Sequence, residues 1–177
     1  MQESRQYPAA LLDWAGHHSG GVRRLFDQHS GRPNKDILRT NLLSRLESWV
    51  QRLVTGIPGT PRILLLVGGP GNGKTEAIES TINWLDEAFG CNGGLVKKLA
   101  SSFFPQTGCA VPRVVNVDAG DLCTFDRPFK LSIVQDASVV FGREGRTPAS
   151  LLIEELCDAL DGPNSQVYLC CVNRGIL

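Results

Sequence analysis

Residues 68–75 read GGPGNGKT, and they follow directly after the apolar run Ile63–Val67. An apolar run of this length is typical of a parallel strand that is buried on both faces. The glycine-rich stretch fits the pattern G-x-x-x-x-G-K-[ST], which Gly73, Lys74 and Thr75 complete. Such a pattern between a strand and a helix is typical of a loop that binds phosphate. The stretch therefore predicts both the centre of the fold and the centre of a site.

The physical basis of this prediction is the number of donors that phosphate oxygens need. A loop without side chains lets successive backbone N–H groups point toward one anion. The helix that starts near Lys74 adds unpaired N–H groups and the positive end of its dipole. Lys74 also adds a full positive charge, and the Thr75 hydroxyl is a ligand for Mg²⁺, which bridges the phosphates. The predicted nucleotide-binding residues are Gly69, Pro70, Gly71, Asn72, Gly73, Lys74, Thr75 and Glu76.

Helical and strand-like patterns alternate through most of the chain. This alternation predicts an α/β fold with a mostly parallel sheet and helices on both faces. Apolar residues recur at helical spacing over 35–55, where Asn34 is a candidate N-cap. Thr147, Pro148 and Gly162 stand where a second helix would have its N-cap, its first residue and its end. The predicted helices are 35–55, 74–89 and 148–160, the predicted strands are 63–67, 113–117, 131–135 and 167–172, and residues 95–112 are ambiguous.

Two strand ends offer a carboxylate for the metal that accompanies the phosphates. One is Asp136, in LSIVQDAS, and the other is Asp118, which Asp121 follows closely. We favour Asp136 because a helix and then a strand ending in the polar pair Asn173–Arg174 come after it. The predicted metal ligands are therefore Thr75 and Asp136.

The order of these features resembles that of the AAA+ ATPases within the P-loop NTPase superfamily. The shared features are the phosphate-binding loop, a strand with an acidic end, a helix, and a strand that ends in VNR at 172–174. The resemblance implies that Asp136 is the Walker B acid and that Asn173 is the polar residue called sensor 1. It also implies that Lys74, Asp136 and Asn173 act in catalysis.

The same resemblance implies a domain organisation and a ligand. Residues 35–177 would form a three-layer α/β/α core that lacks its last strand and its helical lid. Residues 1–34 would be an N-terminal extension with a short helix and loops. Because the sequence contains no guanine-reading motif such as NKxD, the expectation of ATP rather than GTP rests on the family.

One departure from the family concerns the carboxylate that activates water. The family pairs Asp with Glu at the end of the Walker B strand, whereas Asp136 is followed by Ala137. In one alignment Asp136 holds the metal and another residue, for example Glu144, supplies the missing carboxylate. In the other alignment Gln135 stands at the metal position and Asp136 is the base.

Arginines offer a further link to the family, whose ring-forming members donate an arginine to a neighbouring subunit's phosphate. The candidates here are Arg143, Arg146 and Arg174. The resemblance thus implies a homo-oligomer that acts on a protein or nucleic-acid client, which the sequence does not identify.

Three functions are compatible with these features. The first is a Mg²⁺-dependent ATPase that remodels a macromolecular partner. The second is a nucleotide-gated signalling switch of the STAND type with slow or no hydrolysis, which the missing Asp-Glu pair favours. The third is a small-molecule kinase, for which GREGR at 142–146 would have to serve as the arginine-bearing lid.

Composition limits the remaining choices. Lys plus Arg equals Asp plus Glu at 18 each, so net charge does not indicate a nucleic-acid or membrane partner. The sequence contains no apolar run of membrane-spanning length and no signal-peptide pattern. The six cysteines form no CxxC pair, so we expect reduced thiols in a cytoplasmic protein.

Overall fold

The computed structural model of the protein describes Phe26 and residues 39–103, 112–124, 129–140, 145–163 and 165–176. The predicted N-terminal extension, apart from Phe26, and the candidates Asn34, Arg143 and Glu144 lie outside these ranges. In chain order the elements are α1 (Asn41–Val54), β1 (Ile63–Val67), α2 (Lys74–Ala88), α3 (Gly94–Phe103), β2 (Val114–Asp118), β3 (Lys130–Val134), α4 (Pro148–Asp161), β4 (Gln166–Val172) and a short 3₁₀ helix (Arg174–Ile176).

The strands form one sheet in the order β1-β4-β3-β2. Strands β1, β4 and β3 are parallel, and β2 pairs with β3 in the antiparallel direction. The prediction of a mostly parallel sheet in an α/β fold is therefore confirmed, with β2 as its exception. Only residues 119–129 connect β2 to β3, whereas a parallel crossover usually takes about a dozen residues or more, most often a helix.

Helices cover both faces of this sheet. Side chains alternate between the faces along each strand, so each face presents apolar residues that a helix can bury. Helices α1, α2 and α3 pack on one face, where Val50, Ile82 and Leu99 are fully buried. Helix α4 packs on the other face through Leu152 and Ala159. The parallel strands β3 and β4 are thus buried from two sides, as their apolar runs predicted. The prediction of full burial is wrong for Ile63–Val67, because β1 lies at the edge of the sheet, where its residues are only partly buried and Val67 is exposed.

Helix α1 begins later than the sequence predicted. Its N-cap is Thr40, whose backbone is extended and whose Oγ1 accepts a hydrogen bond from the Leu43 N–H at 3.3 Å. The start at residue 35 is therefore wrong, since a side chain closer to the apolar stripe caps the helix. Trp49 on this helix is buried, and its Nε1–H donates to the Pro61 carbonyl at 2.6 Å, which joins α1 to the segment that enters β1.

Helix α4 begins and ends as predicted. Thr147 Oγ1 accepts from the Ser150 N–H at 3.1 Å and Ser150 Oγ accepts from the Thr147 N–H at 3.0 Å, which together form a capping box. Pro148 is the first helical residue and Gly162 is the C-cap. The guanidinium of Arg62, just before β1, donates to the carbonyls of Ala159 and Leu160 at 2.5 Å each and holds the end of α4 against the sheet.

The ambiguous segment 95–112 contains a helix, α3, at Gly94–Phe103. The buried carboxylate of Asp86 on α2 accepts from the Gly93 N–H at 2.6 Å and from the Val96 N–H at 3.0 Å. Unpaired N–H groups at the start of α3 are thereby satisfied, and α3 is fixed beside α2.

The cysteines differ from the sequence prediction in one respect. Cys91 and Cys123 form a disulfide, so the expectation of six reduced thiols is wrong for this pair. Cys91 precedes α3 and Cys123 follows β2, and both lie against the same hydrophobic core. The fold joins positions that are 32 residues apart, which no local spacing could reveal. Cys157, Cys170 and Cys171 are free.

In the part of the chain that the structure describes, no helix combines the length and the apolar character needed to span a membrane.

Candidate functional site

The carboxyl ends of β1, β3 and β4 meet at one edge of the sheet because these strands are parallel. The Gly68 N–H, which opens the glycine-rich loop (residues 68–73), donates to the Val172 carbonyl at 3.1 Å. The Ala137 N–H, just after Asp136, donates to the Cys171 carbonyl at 2.9 Å. The glycine-rich loop and the loop that carries Asp136 are therefore both attached to the last two residues of β4, directly before Asn173.

The glycine-rich loop depends on backbone conformations that favour glycine. Gly71 has φ 75° and Gly73 has φ 73°, both in the left-handed region. Gly73 is also the N-cap of α2, and it has no side chain with which to cap the first turn. The N–H groups at the start of α2 therefore face the loop without a side-chain cap, at the positive end of the helix dipole.

Lys74 is directed back into this loop. Its Nζ donates to the carbonyls of Gly68 and Gly69 at 2.8 Å each and to Asn173 Oδ1 at 3.2 Å. The side chain is half-buried. A full positive charge is thus held at the centre of the loop, against the polar end of β4.

Asp136 lies on the other side of Asn173. Its Oδ1 accepts from the Ser138 N–H at 2.9 Å, from Ser138 Oγ at 2.7 Å and from Asn173 Nδ2 at 3.4 Å. Its Oδ2 receives no hydrogen bond from the residues that the structure describes. The structure therefore brings Lys74, Asn173 and Asp136 together, and it leaves one carboxylate oxygen of Asp136 uncommitted.

Thr75 and Glu76 are half-buried in the first turn of α2, directly after Lys74. Among the described residues, no group of three or more His, Cys, Asp or Glu side chains is arranged to hold a metal. A hydroxyl and a single carboxylate are oxygen donors of the kind that Mg²⁺ prefers, and Mg²⁺ usually keeps several waters beside one or two carboxylates and substrate phosphates. The donor set of Thr75 and Asp136 therefore fits a Mg²⁺ ion that arrives with a phosphate ligand.

Asp118, the alternative carboxylate, lies at the opposite edge of the sheet. Because β2 is antiparallel, Asp118 pairs with Lys130 at the start of β3, while Val114 pairs with Val134 at its end. The Asp118 carboxylate accepts from the Gly120 N–H at 3.0 Å and lies 3.9 Å from Lys130 Nζ, with both side chains exposed. The antiparallel strand thus separates Asp118 from Lys74.

Sequence reasoning missed two residues beside the site, Arg113 and Glu155. Arg113, just before β2, donates from Nη1 to the carbonyls of Ala137 at 2.7 Å and Val139. Its Nε and Nη2 donate to the two carboxylate oxygens of Glu155 on α4, at 2.5 and 3.2 Å. The one sequence signal was Glu155 itself, a charge within the apolar stripe of a predicted helix, which indicates a buried partner.

Buried groups on β4 lie behind the site. Burial raises the pKa of Cys170 and that of Cys171 to about 12 each, and the Lys74 charge opposes the shift at Cys171 only in part. Burial likewise raises the pKa of the Tyr168 hydroxyl, which donates to Glu155 Oε2 at 3.2 Å. These thiols are neutral near pH 7 and act as packing groups, because a nucleophilic cysteine needs a lowered pKa.

The candidate arginines occupy different positions. Arg146 forms an exposed ion pair with Glu154 on α4. Arg174 is exposed and begins the 3₁₀ helix directly after Asn173. Of these two, Arg174 alone is adjacent in sequence to one of the three hydrogen-bonded residues Lys74, Asn173 and Asp136.

Comparison of the chain with protein-family models, with curated proteins and with solved structures gave no match.

Proposed function

We propose that the glycine-rich loop and the first turn of α2 bind the phosphates of ATP, and that the protein hydrolyses this nucleotide with Mg²⁺. The observation that supports this proposal best is the hydrogen-bonded chain from Lys74 through Asn173 to Asp136. The amide of Asn173 lies 99 residues along the chain from the cation of Lys74 and 37 residues from the carboxylate of Asp136. The three groups nevertheless meet at the edge where the glycine-rich loop begins. These are the groups that phosphoryl transfer needs for positioning and for charge neutralisation.

The contacts of Lys74 support phosphate binding at this loop. Its ammonium already lies among oxygen acceptors, at 2.8 Å from two carbonyls of the loop. A phosphate oxygen is a stronger acceptor for a cation than a neutral carbonyl is. We therefore expect Lys74 to exchange these carbonyls for phosphate oxygens, while the uncapped N–H groups of α2 bind the same anion.

Thr75 and Asp136 would hold the Mg²⁺ ion. When it is bound with the nucleotide, the ion neutralises charge on the outer phosphates. Asp136 contributes Oδ2, and Ser138 and Asn173 orient the carboxylate through Oδ1. This orientation of a ligand by its neighbours is the usual arrangement at metal sites.

A nucleotide-gated switch with slow hydrolysis is the second candidate, and one observation favours it. Ala137, at the position where the AAA+ ATPases carry glutamate, is fully buried in the cluster on the α4 face. Position 137 therefore presents no side chain to the glycine-rich loop. Asp136 is left as the carboxylate at this strand end, either as the metal ligand or, with Gln135 at the metal position, as the base.

The resemblance extends the proposal to the whole protein. We propose a three-layer P-loop NTPase core in a homo-oligomer, with hydrolysis driving the remodelling of a macromolecular client. The helices on both faces of the sheet support such a core. The exposed position of Arg174 beside Asn173 supports a role at a neighbouring subunit's phosphate.

The test is nucleotide binding by the purified protein, measured with a fluorescent ATP analogue in Mg²⁺ and in EDTA. Lys74→Ala should weaken binding about 10- to 100-fold, the equivalent of a lost hydrogen bond to a charged group. Lys97→Ala, which removes an exposed lysine from α3, is the matched control and should leave binding unchanged. No binding by the wild-type protein would overturn the proposal.

Turnover then separates the candidate functions. Steady phosphate release that Lys74→Ala abolishes supports the ATPase. Tight retention of nucleotide without release supports the switch. ADP formation that depends on a small-molecule acceptor, with the phosphoryl group appearing on that acceptor and not as free phosphate, would replace both with a kinase.

A further inference from the structure

We infer that Arg113 is a positioning residue that holds the loop carrying Asp136 and thereby sets where this carboxylate meets the nucleotide and its metal. The inference rests on the proposed function, and it adds to that site a residue from outside the predicted motifs. Within the described ranges, Arg113 donates to Ala137, Val139 and Glu155 and to none of the predicted ligands, so its effect would pass through the backbone of residues 136–139.

The direction of β2 brings Arg113 to this place. Val114 pairs with Val134, the last residue of β3, so Arg113 lies beside the segment that leaves β3 toward Asp136. In a parallel β2, the same residue would begin at the opposite edge of the sheet. The antiparallel strand therefore moves Asp118 away from the candidate site and moves Arg113 toward it.

The guanidinium of Arg113 forms hydrogen bonds with the loop on both sides of Ser138. Its Nη1 donates to the carbonyl of Ala137 at 2.7 Å and to that of Val139. Asp136 directly precedes Ala137, and Ser138 donates to Asp136 Oδ1 through both its N–H and its hydroxyl. A shift of the Ala137 and Val139 peptide groups would therefore move Asp136 and its hydrogen-bond donor Ser138 together.

The other side of the guanidinium is fixed to the core. Nε and Nη2 make a bidentate pair with Glu155, and the side chains of Arg113 and Glu155 are only 5% and 8% exposed. Glu155 also accepts from the Tyr168 hydroxyl on β4 at 3.2 Å. A planar guanidinium with donors in a fixed fork can hold a carboxylate and a loop at the same time, which a lysine ammonium cannot reproduce.

A purely structural role makes a different prediction. Loss of one partner of a buried ion pair is destabilising in any case, because it leaves the other charge unpaired. If stability were the sole role of the pair, removal of either partner would lower the unfolding midpoint and leave the Mg²⁺ dependence of ATP binding alone. A positioning role predicts a change in Mg²⁺ dependence that belongs to Arg113 and not to Glu155.

The experiment compares Arg113→Met with Glu155→Gln in the purified protein. Both variants break the ion pair, but Glu155→Gln keeps the guanidinium that grips Ala137 and Val139. ATP affinity is measured in EDTA and across a Mg²⁺ titration, and hydrogen–deuterium exchange is followed in residues 136–140. Arg113→Met should raise the Mg²⁺ concentration needed for half-maximal enhancement of ATP binding about 10- to 100-fold, as loss of a residue that orients a metal ligand typically does. Affinity in EDTA should stay near the wild-type value, and exchange in 136–140 should accelerate.

Glu155→Gln should lose stability but keep a Mg²⁺ midpoint within about threefold of wild type, well below the loss typical of an orienting residue. Equal Mg²⁺ shifts in the two variants, or an unchanged midpoint and unchanged exchange in Arg113→Met, would overturn the inference while leaving the proposed function intact. If Arg113→Met does not fold, Arg113→Lys replaces it, and it should show the same selective loss because an ammonium cannot make the full set of contacts. A wild-type protein that binds no nucleotide overturns the proposed function and this inference together.

Discussion

The side-chain amide of Asn173 lies between Lys74 and Asp136, with its Oδ1 3.2 Å from Lys74 Nζ and its Nδ2 3.4 Å from Asp136 Oδ1. The charges fix the orientation of the amide, since its oxygen can accept from the ammonium and its NH₂ group can donate to the carboxylate. Asn173 thus connects the two groups of opposite charge at the candidate site, and substitutions at this position can separate binding from turnover.

Asn173→Ala should slow phosphate release about 100-fold or more, the range typical of losing one positioned polar donor at a reacting centre. ATP affinity should change little, because Lys74 and the N–H groups of α2 remain. Phosphate release and ATP binding, measured on the same preparation, check this prediction. Asn116→Ala is the control, since Asn116 is an exposed residue on β2 that bonds Ser132. A loss of affinity that matches the loss of rate would contradict the prediction.

Gly73→Ala should weaken ATP binding about 10-fold, because an alanine leaves the left-handed region in the free loop and has to return to it, at a cost of roughly 1–2 kcal/mol, when the loop binds the phosphates. Gly73 has φ 73° and nothing within 4 Å of its added Cβ, so the effect is conformational and not a clash. Gly59 is a matched control, with φ 75° and equally open space in the turn before β1. Gly59→Ala should lower the unfolding midpoint about as much as Gly73→Ala does, but it should leave ATP affinity unchanged. Equal losses of ATP affinity in both variants would contradict the proposal that the glycine-rich loop binds the phosphates.

Local patterns carried most of the fold. The run Ile63–Val67 and the capping residues Thr147, Pro148 and Gly162 predicted β1 and α4 because each depends on neighbours in the chain. The predicted start of α1 was wrong because Thr40, and not Asn34, caps the helix, and the spacing of the apolar residues does not show where the first turn begins.

Features that depend on strand direction were beyond the sequence. The alternation of elements predicted β2 and β3 without showing that the short connection 119–129 makes them antiparallel. That direction places Asp118 at the opposite edge of the sheet from Asp136 and Asn173, and it brings Arg113 to the loop that carries Asp136. The Cys91–Cys123 bond was missed for the same reason, since it joins elements that meet only once the sheet has formed.

Loss of the disulfide should destabilise the fold. Cys91→Ala/Cys123→Ala should lower the free energy of unfolding by about 3–4 kcal/mol, from the loop-closure entropy of a 32-residue separation. Chemical denaturation with and without a reducing agent checks this prediction. The reduced wild-type protein should unfold close to the double variant, and the double variant itself should not respond to the reductant. A wild-type stability that reductant leaves unchanged would show that the two thiols are not bonded.

Stability should fall at alkaline pH because of the thiols on β4. Burial raises the pKa of Cys170 and that of Cys171 from 9.0 to about 12. A raised folded pKa means that the contribution is fully present below pH 9 and is lost as the pH rises toward 12. Each thiol should then remove up to about 1.4 kcal/mol of unfolding free energy per pH unit in that window. Denaturant titrations from pH 7 to 11 measure the slope, which should be shallower in Cys170→Ala/Cys171→Ala.

Asp136→Asn and Asp118→Asn form a matched pair that tests the geometry of the sheet. Both remove one carboxylate from a residue that follows or ends a strand, but the residues lie at opposite edges because β2 is antiparallel. Asp136→Asn should abolish the Mg²⁺-dependent gain in ATP affinity and leave affinity in EDTA near the wild-type value, since Lys74 and the loop remain. The amide keeps an oxygen that can accept from Ser138, so the loop should stay folded. Asp118→Asn removes an exposed contact with Lys130, which is worth less than about 1 kcal/mol, and should leave Mg²⁺ dependence unchanged. A Mg²⁺ titration of ATP binding for the three proteins decides the matter, and a selective effect of Asp118→Asn would mean that the metal is bound at the other edge of the sheet.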